Sequence, residues 1–482
     1  MILLQGGIMM YKTVIGLEVH CELKSKSKVF SKGRNAYSEE VNTNVNVVDL
    51  GMPGILPNLN KYSVYEALLL ASHLNCELAS RLVFDRKNYF YPDLPKGYQI
   101  TQSHMPFGVN GKFKIYVGEE EKEILIHDIH LEEDTASIDH YSSFSLLDYN
   151  RCGTPLIEIV TEPCMYSKEE ALAFLDYLRH LFLYLDVAEA RIDKGQIRCD
   201  VNVSLMKEND TKLGTKVEVK NVNSITGVKE TIEYEVKRQT ELLNQSKKIK
   251  QETRRYDDST KTTISMRSKE DALDYKYFIE PNIPNVKIDE SLINEVLANK
   301  VELQFDRIKK YVSNYNISFK DANLLAKDKD ISNYFEELLT SSGNIQSLVN
   351  LLNNIILSYL NKSDKSILEI SVKPDMLVNL IKKVEEGNIT SKQAKEVLTK
   401  ALEEDKNPIV LIKELNITSM NNTEELIDMA NKIIDNNPNM VLKYKEGRNV
   451  LDFFIGQVMK ETKGRANPSA TSKIFKDLLE KR

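Results

Sequence analysis

Acidic and imidazole side chains recur at every second position of one segment near the start of the chain. In residues 15–23 one alternate set is apolar, whereas the other contains Glu18, His20 and Glu22. Because successive side chains of a β-strand point to opposite faces, the pattern predicts a strand with two carboxylates and an imidazole on one face. Such groups can hold a divalent cation.

Two further segments carry similar groups. Residues 197–204 alternate in the same way, with Arg198 and Asp200 on the polar side. Glu158 lies within the apolar run 156–160, which is typical of a strand buried on both faces. Burying an unpaired carboxylate is costly, so Glu158 needs a partner, and a cation is a good candidate.

An acidic cluster adds to these three strands. Alternation from Ile126 places Asp128, His130 and Glu132 on one face. Oxygen-rich sets with at most one imidazole favour Mg²⁺ or Mn²⁺ over zinc. A polar face in contact with water is the commoner explanation for any single strand, but three similar strands favour a metal site.

A basic and aromatic run, Asp85–Asp93, offers a second kind of chemistry. Its Arg86 and Lys87 precede aromatic residues that could stack on a nucleotide or an RNA end. A strand edge with an internal ion pair is an equally good explanation. The sequence lacks a P-loop, a G-x-G-x-x-G motif, a G-x-S-x-G elbow and an H-E-x-x-H motif, which excludes the corresponding sites.

Length and composition limit the class of protein. The chain has 482 residues, enough for about three typical domains, and its 41% hydrophobic and 28% charged residues are typical of globular proteins. No segment approaches the ~20 apolar residues of a membrane-spanning helix. Five cysteines without a C-x-x-C pair favour a reducing, cytoplasmic location over a disulfide framework.

The elements that must position these residues fall into regions. Residues 11–292 read as mixed strands and helices, 293–408 as a helical domain and 409–482 as a small helical tail, so the predicted fold class is α+β. Within the first region, Asn110-Gly111 predicts a hairpin turn and Ser63-x-x-Glu66 a capping box. We expect residues 1–10 to be a start-site extension, with translation beginning at Met9 or Met10.

Charge is distributed unevenly. The net charge of −6 argues by itself against a generic nucleic-acid binder. The last forty residues, however, hold ten basic and five acidic residues, a net charge of +5, so the preceding 442 carry −11. On charge alone, a solvated lysine-rich face and a phosphate-binding surface are equally compatible with this tail.

Seven segments, taken together, match the motifs of one family. They are Val14–His20, Asp85–Asp93, Arg151–Pro163, Arg198–Asn202, Gln251–Arg255, Gly456–Lys460 and Gly464–Pro468. The chain thereby resembles the B subunit of the aspartyl/glutamyl-tRNA amidotransferases, in order, from Tyr11 to Arg482.

The resemblance implies a function and partners. It implies a heterotrimer in which the other two chains are the A subunit, an amidase (glutaminase), and the small C subunit. This chain would use ATP and Mg²⁺ to phosphorylate the side-chain carboxylate of Glu on mischarged tRNA(Gln), or of Asp on tRNA(Asn). Channelled ammonia would then displace the phosphate. The implied fold is a cradle-shaped catalytic domain, a helical domain and a tail that contacts tRNA.

The resemblance also implies roles for individual residues. Family motifs point to Glu133, where strand alternation points to Glu132, so we expect a β-bulge and favour Glu133. The implied metal and catalytic residues are Glu18, His20, Glu133, Glu158 and Asp200. The implied nucleotide-binding residues are Arg86, Lys87, Asn202 and Lys220, and the implied tRNA-binding residues of the tail are Lys443, Lys445, Arg448, Lys460, Lys463 and Arg465.

One departure and two alternatives remain. Many members of the family carry zinc-binding cysteines in the stretch that corresponds to residues 30–56, which here contains none, so no zinc is expected. The alternatives are a non-catalytic tRNA-binding adaptor and a Mg²⁺-dependent ligase for small carboxylates. The sequence does not distinguish between Glu-tRNA(Gln) and Asp-tRNA(Asn) as the substrate.

Overall fold

The chain forms two compact units, Met1–Phe305 and Asp306–Arg482. The computed structural model describes residues 11–37, 40–207, 210–268, 275–340, 344–417, 423–462, 464 and 466–481. The predicted start-site extension, residues 1–10, lies outside the described residues, as do Lys463 and Arg465. The first unit mixes strands and helices and the second is helical, which confirms the predicted α+β class.

Strands occur only in the first unit of the described chain. They are β1 (Tyr11–Glu22), β2 (Glu77–Leu78), β3 (Arg81–Leu82), β4 (Asp85–Asn88), β5 (Tyr98–Thr101), β6 (Gly108–Val117), β7 (Glu120–Glu133), β8 (Ser137–His140), β9 (Ser145–Asp148), β10 (Pro155–Thr161), β11 (Ile197–Lys207), β12 (Val217–Val222), β13 (Glu252–Asp257), β14 (Thr262–Ser268), β15 (Phe278–Ile279) and β16 (Val286–Lys287).

Helices occur in both units. Those of the first are α1 (Lys61–His73), α2 (Lys168–Tyr184), α3 (Ile225–Asn244) and α4 (Glu290–Ala298). From the boundary onward follow α5 (Gln304–Tyr315), α6 (Phe319–Ala326), α7 (Lys329–Leu339), α8 (Ile345–Leu351), α9 (Leu357–Ser363), α10 (Pro374–Glu385), α11 (Ser391–Glu404), α12 (Pro408–Glu414), α13 (Thr423–Asp435), α14 (Pro438–Lys445), α15 (Leu451–Glu461) and α16 (Pro468–Glu480). Among the described residues, no helix combines the length and the apolar character needed to cross a membrane.

A nine-stranded sheet organises the first unit. Its order is β14-β13-β12-β11-β1-β10-β7-β6-β2, and β1 is antiparallel to both of its neighbours. Apolar side chains of the central strands, such as Val19 and Val201, are fully buried, and helices α1, α2 and α3 pack against the sheet. The same alternation leaves the opposite face of these strands to polar residues.

The predicted hairpin at Asn110-Gly111 is wrong. Strand β6 runs through both residues and pairs with β7 on either side of them, although Asn110 has a φ of 54°. The chain reverses at Gly118, where a φ of 64° suits the first position of a two-residue hairpin loop. Asn110-Gly111 carried the stronger turn signal, but pairing along the whole length of β6 and β7 overrides it.

The predicted domain boundaries stay predictions. Residue 292 lies inside α4, which packs against α1 in the first unit. Residue 408 begins α12, which packs against α10 and α11. The last helices share a core of their own, in which the rings of Phe454 and Phe475 stack with centroids 5.2 Å apart.

Helix α1 begins earlier than its capping box predicts. Asn60 caps it by accepting hydrogen bonds from the backbone N–H groups of Tyr62 and Ser63, so Ser63 is an interior residue. Glu66 is consequently buried, and neither of its carboxylate oxygens has a hydrogen-bond partner in the described chain. Burial raises the pKa of Glu66 to about 8, against the opposing charge of Lys24.

This buried carboxylate predicts a pH dependence of stability. An unfolded-state pKa near 4.5 and a folded-state pKa near 8 mean that the folded chain binds more protons between these values. The free energy of unfolding should therefore fall as pH rises through this window, by roughly 1.4 kcal/mol per unit of pKa shift. We expect Glu66→Gln to remove that fall, measured by urea unfolding at pH 5.5 and 8.5.

The matched control is the exposed Glu169→Gln, which should keep the pH dependence of the wild type. An unchanged pH dependence in Glu66→Gln would contradict the prediction.

Candidate metal and nucleotide site

Five neighbouring strands, β12-β11-β1-β10-β7, present a polar face at the centre of the sheet. His20 on β1 lies opposite Arg198 on β11 and Glu158 on β10, and Glu18 lies opposite Asp200. Residues paired across antiparallel strands point to the same side of a sheet. The strand register therefore brings together four of the five metal residues that the sequence pointed to.

The first cluster surrounds the Glu158 carboxylate. Its Oε2 lies 3.2 Å from His20 Nε2 and 3.0 Å from His130 Nε2. Glu132 Oε1 lies 3.9 Å from His20 Nε2. The ligand atoms of His20, Glu132 and Glu158 lie within 4.8 Å of one another, so these three side chains could share one cation.

Charges in this cluster compensate one another. Burial alone would raise the pKa of Glu158, but His20 and His130 outweigh it and hold that pKa well below the usual range. Burial would lower the pKa of both histidines, yet the neighbouring carboxylates, Glu158 first, raise it. The partners that a buried Glu158 requires are thus supplied by the imidazole rings of His20 and His130 in the chain itself.

The second cluster consists of carboxylates. The ligand atoms of Glu18, Asp200 and Glu218 lie within 4.8 Å of one another. Burial raises the pKa of Glu18, although Asn202 Nδ2 opposes this by donating a hydrogen bond to Glu18 Oε1 at 2.9 Å. Lys220 Nζ lies 2.8 Å from Glu218 Oε1 and 3.1 Å from Asp200 Oδ2.

The donor atoms of the second cluster fit a hard divalent cation. Besides the three carboxylates, Asn202 Oδ1 is buried and has no hydrogen-bond partner in the described chain. Carboxylate and amide oxygens are the ligands that Mg²⁺ prefers. The first cluster, with one imidazole and two carboxylates, also suits Mn²⁺.

Glu133 lies outside both clusters. Its carboxylate accepts hydrogen bonds from Lys96 Nζ at 2.5 and 2.6 Å and from the Ile100 N–H at 2.9 Å. Between Asp128 and Glu133 the pairing of β7 with β10 is regular, so Glu132 and Glu133 point to opposite sides. The expected bulge exists, but it lies between the pairs Thr161–Ile126 and Val160–Asp128, ahead of the acidic residues at the end of β7. The cluster therefore contains Glu132 rather than Glu133.

The two basic residues of β4 are also separated. Arg86 forms a two-point ion pair with the buried Glu280, with Nε–Oε2 at 2.5 Å and Nη2–Oε1 at 3.1 Å, and its guanidinium lies over the Tyr98 ring. Lys87 points the other way, and the carboxylate of Glu132 raises its pKa despite burial, which lowers it. Of this predicted pair, only Lys87 contributes to the polar face.

A cavity of about 160 Å³ opens on the polar face. Its lining joins groups from both clusters with cationic side chains. They include His20, Lys87, Glu132, Arg198, Asp200 and Lys220.

Two neighbouring carboxyl groups, those of Asp134 and Glu22, lie at one end of the polar face. Asp134 receives two hydrogen bonds of 2.9 Å from Arg198 Nη2, and Arg151 Nε lies 3.0 Å away. Burial, together with the neighbouring Asp134, raises the pKa of Glu22 to about 7. The two arginines therefore balance two carboxyl groups beside the cavity.

Glu218 went unpredicted, and His130 was placed by alternation but not chosen as a site residue. Glu218 alternates with the buried Val217 and Val219 on β12, the same signal that identified the other strands, but the segment is only six residues long. His130 shares a face with Glu132 and Asp128, and its Nδ1 lies 2.8 Å from Asp128 Oδ1. Alternation alone could have identified Glu218, and it had already placed His130 on the polar face.

The stretch without cysteines, residues 30–56, is anchored by a buried ammonium group. Lys28 Nζ donates hydrogen bonds to the carbonyls of Cys152 at 2.5 Å and Asn44 at 3.1 Å, and it lies 3.4 Å from Asp49 Oδ2. Both charged side chains are fully or almost fully buried. Hydrogen bonds and an ion pair of Lys28 thus hold the described part of this stretch against the segment that follows β9.

The predicted tRNA-binding residues of the tail are partly described. Lys443 and Lys445 are exposed in the last turn of α14, and Lys460 in the last turn of α15. Arg448 is exposed beside Glu446, with 3.9 Å between charged atoms. These four cations therefore lie on the outer surface of the core that the last helices share.

Comparison with known proteins identifies the family. The family model for the GatB/GatE catalytic domain matches residues 13–294, and the GatB domain model matches residues 333–479. Curated relatives named as the B subunit of aspartyl/glutamyl-tRNA(Asn/Gln) amidotransferase are 43% identical in Macrococcus caseolyticus and Geobacillus thermodenitrificans and 42% identical in Oceanobacillus iheyensis. Each alignment covers 98% of this chain and 100% of the relative. The chain therefore belongs to the GatB/GatE family of tRNA-dependent amidotransferase subunits.

Proposed function

We propose that the polar face activates a side-chain carboxylate by phosphoryl transfer. The substrate is Glu on tRNA(Gln), Asp on tRNA(Asn), or both, and ATP with Mg²⁺ supplies the phosphoryl group. Ammonia then attacks the acyl phosphate, phosphate leaves, and the amide forms. The observation that carries this proposal is the presence of two adjacent ligand clusters on one sheet face.

In this proposal the two clusters hold divalent cations. Glu18, Asp200 and Glu218 hold one, and His20, Glu132 and Glu158 hold the other. Bound cations offset the repulsion between a polyanionic phosphate and a carboxylate, which otherwise prevents their approach.

Two lysines complete the proposed phosphate site. Lys87 of β4 and Lys220 of β12 both line the cavity. Their ammonium groups are positioned to bind phosphate oxygens and to offset charge that accumulates during transfer. Arg86 stays with Glu280 and holds β4 in place.

The test is ADP formation by the purified complex. We expect ADP to appear from ATP only when Mg²⁺ and a mischarged tRNA are both present, and ammonium chloride to replace glutamine as the nitrogen source. Equal ADP formation with uncharged tRNA would contradict phosphorylation of the amino acid side chain.

We further propose the partners that the family implies. The relatives are each named as the B subunit of an amidotransferase, which supports a complex of several chains. In it the A subunit, an amidase, releases ammonia, and the small C subunit joins the two larger chains. The five cysteines are all free, which supports a reducing cytoplasm. Co-purification from the native source would identify the partners directly.

The basic tail is proposed to bind the tRNA backbone. We expect Lys443→Gln with Lys460→Gln to weaken tRNA binding for every tRNA sequence. Each phosphate contact that is lost should lower the slope of log affinity against log salt by about 0.7 to 0.9. Binding titrations over a range of salt concentrations would measure this.

The matched control is the pair Lys382→Gln and Lys395→Gln, which lies in the same unit outside the tail. An equal change of slope in both double variants would show non-specific loss of charge and contradict a tRNA site in the tail.

A further inference from the structure

Three tyrosine rings form a continuous cluster beside the cavity. Tyr275 contacts Tyr89 and Tyr277, with ring centroids 6.0 Å apart in each pair and planes at 70° and 65°. Lys87 Nζ lies 5.0 Å from the Tyr275 centroid. We call Tyr89, Tyr275 and Tyr277 the tyrosine cluster.

Backbone contacts fix the cluster in place. Strand β15 pairs with β4, so that Phe278 lies opposite Arg86. Asn88 binds the preceding segment through its N–H, 3.0 Å from the Tyr275 carbonyl, and its Nδ2, 2.8 Å from the Lys276 carbonyl. Two segments 188 residues apart in the chain are thereby held together at one edge of the site.

The cluster is adjacent to the charged groups. Tyr89 and Lys87 both line the cavity. Tyr277 joins this group through its contact with Tyr275, whose ring centroid lies 5.0 Å from Lys87 Nζ. Tyr277 is 40% exposed, so part of its ring is available to a ligand.

The size of the cavity shows what the rings could contact. Its volume of about 160 Å³ is below the ~300 to 1,000 Å³ typical of pockets that enclose a whole ligand. It has room for phosphate and carboxylate groups but not for a whole nucleotide as well, which favours a position of the base outside it. The tyrosine cluster is the aromatic surface at that edge, and aromatic rings stack on bases.

We propose that the tyrosine cluster stacks on an adenine base while Lys87 binds the phosphate or sugar side of the same adenosine. This rests on the proposed function, which brings two adenosines to the site, one in ATP and one at the 3′ end of tRNA. Stacking on Tyr277 fixes the distance between that base and the carboxylate clusters.

The experiment measures equilibrium binding to the full-length chain in its complex, without turnover. The probes are ATP with Mg²⁺, and an uncharged tRNA ending in CCA compared with the same tRNA trimmed to CC. We expect Tyr277→Ala to weaken ATP binding about tenfold, or to lower the preference for CCA over CC about tenfold. Tyr277→Phe keeps the ring and should stay within about twofold of the wild type.

The control is Tyr62→Ala, an exposed tyrosine of α1 in a similar ring pair, with centroids 6.0 Å apart, which should change neither measurement. A wild-type measurement with a tRNA whose terminal nucleotide is abasic tests the same contact without any variant. A change with ATP assigns the base to ATP, and a change with CCA assigns it to tRNA.

Unchanged binding of both probes in Tyr277→Ala overturns the proposal. Because binding is measured without chemistry, this failure is distinct from failure of the proposed phosphoryl transfer, which Asp200→Asn tests with Tyr277 intact.

Discussion

Replacing Asp200 by asparagine should lower the rate of transamidation by about a thousandfold, even when ammonium replaces glutamine. The substitution keeps the shape of the side chain. It removes one of the three carboxylates that converge in the cluster of Glu18, Asp200 and Glu218. It also removes one of the two carboxylates that form ion pairs with Lys220, and leaves Glu218 as the other. A bound cation contributes several kcal/mol to the stability of a phosphoryl-transfer transition state, and ~4 kcal/mol corresponds to a factor of about 10³.

Binding and folding measurements separate this loss from trivial causes. We expect Asp200→Asn to bind tRNA as the wild type does and to unfold at a similar temperature. The control is Asp193→Asn, an exposed carboxylate paired locally with Arg191, which should leave the rate unchanged. A non-catalytic adaptor would instead keep its full rate in Asp200→Asn, so that result would exclude the enzyme interpretation.

Neighbouring residues on β7 should differ sharply in metal binding. We expect Glu132→Gln to weaken Mn²⁺ binding at least about tenfold, because Glu132 shares the cluster of His20 and Glu158. Glu133→Gln should bind Mn²⁺ as tightly as the wild type, because its carboxylate serves Lys96 on the other side of the strand. Titration followed by electron paramagnetic resonance would measure both affinities.

The two variants should differ in the opposite sense in their stability to unfolding, with Glu133→Gln the more affected. Glu133→Gln leaves the buried ammonium of Lys96 without its counter-charge, which typically costs about 3 to 5 kcal/mol. It should therefore unfold at a lower temperature than Glu132→Gln. Loss of Mn²⁺ binding in Glu133→Gln, with binding retained in Glu132→Gln, would restore the assignment that the family motifs favoured.

Strand alternation predicted most of the candidate site because the register of the sheet places the polar residues of neighbouring strands side by side. Glu18, His20, Glu158 and Asp200 were each recognised from the pattern of their own strand, and the register places them in contact. Alternation could not say which strands are neighbours, since pairing is set by long-range contacts. The resemblance supplied that grouping, but it directed the choice between Glu132 and Glu133 to the residue outside the cluster.

Local signals failed where a longer element overrode them. Asn110-Gly111 would turn a shorter chain, but here it lies within a ladder that extends from Gly108 to Val117. Ser63 and Glu66 have the spacing of a capping box, yet Asn60 caps the helix one turn earlier. Glu66 therefore lies in the interior of the helix and is buried. In both cases the tertiary burial of the whole element outweighs a preference worth about 1 kcal/mol.

The different environments of Glu132 and Glu133 restrict where β7 can change its length. A residue inserted between Asp128 and Glu132 would exchange the sides on which Glu132 and Glu133 lie, moving Glu132 out of the cluster and Glu133 away from Lys96. The β6–β7 turn carries no such restriction, since Gly118 and Glu119 lie beyond the last residue pair of the ladder, Val117 and Glu120, and a longer loop there leaves the strand register unchanged. Natural insertions and deletions should therefore accumulate at this turn and be absent from the end of β7.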